Sequence, residues 1–528
     1  MKINSDAQAD LTAIVGEEQF ELRDEALRQW TINTLDSPRR IQGIIRPADQ
    51  AQARAIVQAC HKHRLRFNPV SSGKNWGYGG ATPVAEDALI LDLSRLKRII
   101  EFNAQLSYVV VEPGVTQQDL FDYMRAHGHA FMVPTTGAGP QVSLLANALE
   151  RGYGITPVED HFGSLLGLRA LLPDGRIYQS ALRELGGDYS DQVFKWKIGP
   201  YLDGLFTQSN LGIVLEGTIG LAPKPENVTQ FVVFLADEEF ESAVNAVRKI
   251  KLKLGGIVGG VNLMNKRRLL SMIESQWNQE QALDEIRIIE FAKKRQLPDW
   301  AIVGALYGPD ELVRGGMRVI KESCKGISQK VVSLSRKKYE FASRVLKYLP
   351  LNNLKLMLSN AGRALEILEG TPSRVALPLA YLKNRNGLPS GEFNPDRDGC
   401  GLMWFAPLVP LDPPVVRDYV QEVAKICLFH DIDPLITLTA FSQRCFDSTV
   451  PILFSKDTPG DSARARKCYD DLLRACSLMG LFPYRLDIDH MHLLDNPEVP
   501  AFWLGQSLKR LLDPHNLLAP GRYTRADL

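Results

Sequence analysis

Ser71-Ser-Gly-Lys-Asn-Trp-Gly-Tyr-Gly-Gly80 is the stretch on which the reading of this chain turns. Four glycines in ten residues stand just before the apolar run Ala88-Leu-Ile-Leu-Asp-Leu93. Glycine permits positive φ and close backbone approach, so such a loop can turn successive N–H groups toward a phosphate. The loop also carries a phenol, Tyr78, flanked by glycines. A tyrosine on so open a backbone is either a packing plug or a functional hydroxyl. Glycine richness alone also reads as a surface turn between a helix and a strand, so the flanking sequence has to decide.

Upstream, residues 48–66 show apolar positions at helical spacing, and Arg66-Phe-Asn-Pro-Val70 leads into the loop. Downstream come short β-like runs at Ala88–Leu93, Arg98–Phe102 and Tyr108–Glu112, the last stopped by Pro113-Gly114. Thr116 is placed to cap a helix over Gln117–His127. A second loop, Val133-Pro-Thr-Thr-Gly-Ala-Gly-Pro140, precedes the helical Ser143–Glu150 and forms another anion-binding candidate. Leu165–Leu172 and Ile177–Gln179 flank the Asp174-Gly175 turn and read as a hairpin. The alternation predicts an α+β fold. No Gly-x-Gly-x-x-Gly opens a helix after the first strand, which argues against a nicotinamide domain.

Pro223-Lys-Pro225 marks a boundary, beyond which basic helical stretches dominate from about 240 to 350. Among them Asn265-Lys-Arg-Arg268 and Ser335-Arg-Lys-Lys338 read as solvated helix faces. The 528 residues allow two or more domains, and a net charge of +1 gives no field that would favour nucleic acid or an anionic membrane. The N-terminal segment has no apolar signal-peptide core, and no run is long and apolar enough to cross a bilayer. Seven cysteines at scattered spacing fit reduced thiols and a cytoplasmic location. The pairs His61/His63, His127/His129 and His490/His492 lack companion cysteines at zinc spacing, so no metal site is expected.

Four residues stand out chemically. Arg485 is permanently charged and can stabilise a phenolate or a reduced anionic flavin. The hydroxyls of Tyr78 and Tyr484 can share a proton with a bound phenol. Asp160 can act as a base at a carbon being oxidised. Each of the four reads singly as a structural residue too.

Six motifs, in order and across most of the chain, resemble the vanillyl-alcohol oxidase family. They are Lys74–Ala81, Glu150–Gly154 with Asp160-His161, Gly199–Ile213, Arg397–Phe405, Tyr484-Arg485 and Leu518–Arg522. Arg397–Phe405 looks most like the flavoprotein subunits of bacterial para-cresol methylhydroxylase and eugenol hydroxylase. The resemblance implies a two-part FAD-binding domain with an α+β cap (substrate) domain. Its parts here are residues 1–225 for FAD, 226–480 for the cap, and 481–528 returning to the FAD domain and active site. It implies that Ser71, Ser72, Gly73, Lys74, Asn75, Gly77, Tyr78 and Gly79, with Pro134, Thr135, Ser143 and Asn147, cradle the FAD pyrophosphate. Gly152, Gly212, Ile213, Arg485 and Arg522 complete the FAD-binding set. Tyr78, Tyr484 and Arg485 match the residues that hold a substrate phenolate, and Asp160 matches the acid/base near flavin N5.

The function so implied is oxidation of the benzylic carbon of a 4-alkylphenol or 4-hydroxybenzylic alcohol. Hydride passes to FAD through a para-quinone methide, followed by water addition or further oxidation. The alternatives are a specialised phenolic or other natural product as substrate, or a catalytically silent flavin-binding protein. Many family members tether FAD through a histidine or tyrosine. The matching stretch, taken as Thr437–Leu453, has neither, with Asp447 or Ser448 at the tether position and Cys445 nearby. Non-covalent FAD is therefore expected. The electron acceptor would be O2 or a separate cytochrome c, since no Cys-x-x-Cys-His occurs. A homodimer or larger assembly is expected from the family.

Overall fold

The glycine loop leaves the edge of a four-stranded sheet. In the computed structural model, which describes residues 3–273, 282–328, 330–346 and 352–527, this sheet has the order Phe20–Glu21, Ile41–Ile45, Ala88–Asp92, Phe67–Val70. The last three strands run parallel. Parallel neighbours need a crossover, and the helix Gln50–His63 supplies it. Asp49 caps that helix by accepting the Gln52 N–H at 2.8 Å, and Arg64 ends it in the left-handed region. Ala88–Asp92 is buried at every position, as expected for a strand covered on both faces.

A second, five-stranded antiparallel sheet follows, in the order Ile99–Asn103, Tyr108–Val111, Ile213–Gly220, Leu165–Leu171, Ile177–Tyr178. Thr116 caps Gln117–Ala126 in a full capping box with Asp119. The Asp174-Gly175 turn joins Leu165–Leu171 to Ile177–Tyr178 as the sequence predicts. The two sheets share a core in which Ile45, Phe67, Leu89 and Leu91 meet Leu171, Ile213 and Leu215.

The C-terminal segment closes this core. Leu518 pairs parallel with Phe67, whose N–H donates to Leu517 O and whose carbonyl accepts from Ala519 N. Lys509, fully buried, donates to Asp513 at 2.6 Å and to the carbonyls of Leu518 and Asn210. A buried ammonium is tolerable only when paired and hydrogen-bonded, and this one ties the tail to the N-terminal half.

Residues 227–455 build a mixed-length antiparallel sheet of eight strands. Asn227–Leu235 and Trp300–Gly308 pair over nine residues at its heart. Helices Phe240–Lys253, Asp310–Ser323, Pro413–Phe429 and Asp461–Leu478 contribute buried apolar residues to its largest core. Cys445–Ser455 pairs through its first half, which carries Asp447, with Thr437–Ala440 and through its second half with Cys400–Phe405. No described helix is long and apolar enough to cross a membrane.

One reading of the basic stretches is corrected. Arg267 does not lie on a solvated face: its guanidinium is buried and pairs with Asp433 at 3.2 Å and Glu285 at 3.0 Å. Its helix is capped by Asn265 instead of being held by surface charge. Lys337 and Lys338 do lie exposed.

Candidate active site

The two loops singled out in the sequence lie against each other. Ser143 N–H donates to Ser72 Oγ at 3.1 Å, and Ser143 Oγ donates to Pro113 O while capping Leu144–Leu149. Gly73, Gly77 and Gly79 all take positive φ. Among the described residues no protein acceptor takes the N–H groups of Ser72, Gly73, Lys74 and Asn75. A run of N–H groups without protein acceptors on a glycine-rich loop fits the requirements of a pyrophosphate. Lys74 Nζ lies 5.5 Å from the Trp76 ring centroid, and burial lowers its pKa. Pro134 and Thr135 of the second loop are buried, with Thr135 Oγ donating to Ile367 O at 3.2 Å.

Glycine at 77 and at 152 is required by contact. A Cβ at Gly77 would overlap the Trp404 indole, and one at Gly152 would overlap the Asn147 carboxamide. Asn147 Nδ2 donates to His161 Nδ1 at 2.5 Å. Burial depresses the His161 pKa to about 4, so the ring is neutral, and its Nε2 has no partner. Gly212 packs on Phe206, and Ile213 lies in the core shared by the first two sheets.

The C-terminal segment brings the charged centre in. Arg485 donates to Asn75 Oδ1, its guanidinium carbon lies 4.2 Å from the Tyr78 ring centroid, and its Nη2 is 3.7 Å from Glu150 Oε2. Arg522 pairs with the other Glu150 oxygen, and the Tyr523 hydroxyl donates to Oε2 at 3.2 Å. Burial works against the Glu150 charge, but Arg522 and Arg485 outweigh it and hold its pKa below the usual value. Burial also works against the Arg485 charge, yet Tyr484, Tyr78 and Glu150 together raise its pKa. Arg485 therefore stays cationic at the centre of two buried phenols, with its Nε unpartnered. Burial pushes the pKa values of Tyr78 and Tyr484 up, and both remain neutral hydroxyls.

Thus Tyr78, Tyr484 and Arg485 come together, with Asn75 and Arg522 joined to them through hydrogen bonds and Glu150. Asp160 stands apart. Its backbone pairs with Tyr153, and its exposed carboxyl accepts the Gly163 N–H at 2.6 Å. Three residues join the centre that sequence reasoning did not assign to it. Glu150 bridges the two arginines. The Tyr153 ring packs at a tilt against Phe441, 4.3 Å between centroids, and lies 6.1 Å from the Tyr484 ring. Asp447, 1% exposed, faces the phenols, and burial pushes its pKa up to about 8, with Tyr153 and Arg485 offsetting only part of that. Glu150 and Tyr153 sit inside a quoted motif, and Asp447 inside the stretch taken for the tether. Their glycine and aromatic neighbours were the available signal. Ser448, next to Asp447, is fully buried and accepts the Tyr419 hydroxyl.

A glycine loop with unpaired N–H groups, together with a buried, positively charged centre lined with phenols, fits an FAD-binding oxidoreductase. Comparison with known proteins agrees. Residues 41–180 match the FAD binding domain family. The chain is 32% identical to 1'-carboxy-chondrochloren decarboxylase of Chondromyces crocatus, over 98% of this chain and 96% of that one. It is 26% identical to the flavoprotein subunit of 4-cresol dehydrogenase (hydroxylating) of Pseudomonas putida, over 89% of this chain and 85% of that one. In fold it superposes on substrate-bound p-cresol methylhydroxylase with a TM-score of 0.85 at 23% identity, over 99% and 97% of the two chains. It superposes on 4-ethylphenol oxidase of Gulosibacter chungangensis with a TM-score of 0.87 at 20% identity, over 98% and 97%. The chain belongs to the vanillyl-alcohol oxidase/para-cresol methylhydroxylase family of FAD-dependent oxidoreductases. FAD is its cofactor, and the free N–H groups of the Ser71–Gly79 loop fit its pyrophosphate.

Proposed function

We propose that this flavoprotein oxidises the benzylic carbon of a para-substituted phenol. The observation that carries the reading is the buried Arg485 guanidinium over the Tyr78 ring, with Tyr484 beside it. A cation flanked by two phenols in a water-poor site stabilises charge on a phenol oxygen far better than water does. FAD, when bound, supplies the two-electron acceptor. The chain's residues do the remainder. Arg485, Tyr78 and Tyr484 hold the oxygen as charge gathers on it, and the electron-rich ring makes the benzylic C–H a hydride donor. The substrate-derived para-quinone methide then takes water at the benzylic carbon, with Asp160 receiving the proton.

A second reading is favoured by the likeness to a decarboxylase along nearly the whole chain. If the carbon next to the benzylic one carries a carboxylate, the quinone methide can lose CO2. The C–C bond electrons form the side-chain double bond, and the exocyclic pair returns to the ring as phenolate. The same clamp serves both outcomes.

Non-covalent FAD is supported by Cys445, whose pKa is raised by burial and by Asp447, leaving a weak nucleophile. A homo-oligomer is supported by the exposed apolar side chains of Leu185, Tyr189, Phe194, Trp196 and Ile198 on one segment. Its test is the mass in solution by light scattering, where a monomer overturns it. The electron acceptor is O2 or a separate cytochrome.

The experiment is anaerobic mixing of the holoenzyme with 4-alkylphenols, 4-hydroxybenzyl alcohols and 3-(4-hydroxyphenyl)propanoates while following flavin absorbance. Bleaching by the first two supports benzylic oxidation. Bleaching by the third with CO2 release supports the second reading. Flavin that stays oxidised with all three overturns both. The rate of colour return on admitting air separates O2 from a protein acceptor.

A further inference from the structure

We propose that Asp447 governs the charge of the phenolate clamp, with its proton required for the site to accept a phenolate. The inference rests on the phenol reading above. It starts from a count of charges. Arg485 and Arg522 carry two positive charges, and Glu150, bridging them, carries one negative. The surplus of one positive charge is what a phenolate, or an anionic reduced flavin, needs.

Asp447 is the group that can cancel that surplus. It is 1% exposed on Cys445–Ser455, and neither of its oxygens completes a well-formed hydrogen bond. The groups that face it come from every side. Tyr153 approaches from the loop before Asp160, Tyr484 and Arg485 from the C-terminal segment, and Tyr78 from the glycine loop. Tyr419 lies on the helix Pro413–Phe429, and Cys445 on its own strand. Of these Arg485 alone is a cation, and Glu150 already engages it. An isolated carboxylate in this setting lacks the donors that usually repay its desolvation. Asp447 therefore holds its proton near neutrality, consistent with an ionisation near pH 8. When ionised, it places a negative charge beside the phenols and brings the cluster to neutrality. A phenolate then meets a carboxylate and no net positive charge.

The consequence is a binding linkage. Phenolate affinity holds while Asp447 is protonated and falls about tenfold per pH unit above its ionisation, because each binding event then takes up one proton. An amide at 447 keeps the shape and cannot ionise.

The test uses the FAD-loaded enzyme and 4-nitrophenol, which ionises near neutrality and has no benzylic hydrogen to lose. Affinity is measured calorimetrically from pH 6 to 10 in two buffers of different ionisation heat, which counts protons. For the wild type the expected profile rises as the ligand ionises and falls again on the alkaline side, with proton uptake on the falling limb. For Asp447→Asn the expected profile rises to a plateau. A wild-type profile without an alkaline fall overturns the proposal even if the variant does not fold. An alkaline fall that persists in Asp447→Asn with FAD bound overturns it as well. Absence of 4-nitrophenol binding at every pH overturns the phenol reading, and this proposal with it.

Discussion

The Arg485 guanidinium lies 4.2 Å from the centre of the Tyr78 ring, and its Nη2 is hydrogen-bonded to Asn75 three residues earlier on the same loop. One cation thus engages two side chains of the glycine loop, an amide and a phenol ring, from the C-terminal segment. Replacing it by alanine removes the clamp's charge. We expect Arg485→Ala to slow flavin reduction by ~10²–10³-fold, the size of a lost preorganised electrostatic contact. Arg485→Lys should recover little, because an ammonium cannot reach Asn75, Glu150 and the ring face together. Stopped-flow reduction of the FAD-loaded variants checks both.

Glu150 is the counterpart. It accepts from Arg522 and lies 3.7 Å from Arg485. Glu150→Gln leaves two largely buried guanidiniums without their shared anion. Breaking one partner of a buried ion network costs about 3–5 kcal/mol. The expected result is a lower melting temperature and weaker FAD retention, read by thermal unfolding and by flavin release on gel filtration.

Local chemistry made much of the architecture legible. Thr116 as a helix cap and the Asp174-Gly175 turn each specify an element through contacts within a few residues, and both form as expected. The glycine loop's conformation is legible for the same reason: the positive φ of Gly73, Gly77, Gly79 and Gly80 is written into its own residues. Arg267 shows the opposite case. Its partner Asp433 lies 166 residues away, and nothing in Asn265-Lys-Arg-Arg268 marks one arginine of the run as buried. Asp447 likewise looked like the position of a missing tether, because its meaning depends on Tyr153, Tyr484 and Arg485 arriving from three distant segments.

Gly77 has no room for a side chain. Its φ is +79°, its N–H donates to Thr34 Oγ at 2.8 Å, and an added Cβ would overlap Trp404. Gly77→Ala should cost about 1–3 kcal/mol from strain and overpacking, and it should shift Tyr78 next to it. Urea unfolding of the apoprotein measures the first effect, and the FAD dissociation constant measures the second.

His161 gives the fold an acid limit. Burial holds its pKa at about 4, against 6.5 when exposed. Between those values the unfolded chain binds the proton that the native state refuses, so stability falls as pH drops from about 6.5 toward 4 and levels off below. The contribution is at most about 3 kcal/mol. His161→Gln, which keeps an acceptor for Asn147 and cannot ionise, should flatten this part of the melting temperature profile. An unchanged slope would assign the acid sensitivity elsewhere.

Asp160 lies outside the Arg485 centre, on a turn it caps through the Gly163 N–H. If its part is to take the proton of the water that adds to the quinone methide, it acts after hydride transfer. Asp160→Asn should then leave phenolate binding within about twofold while diverting product from alcohol toward alkene for an ethyl or propyl side chain, since proton loss from the neighbouring carbon needs no activated water. Product ratios by chromatography, with 18O-labelled water to count water addition, read the partition directly. A variant that binds 4-nitrophenol normally yet shows the wild-type alcohol-to-alkene ratio would remove Asp160 from the water step. The amide also retains an acceptor for Gly163, so a lost turn cannot account for a shifted ratio.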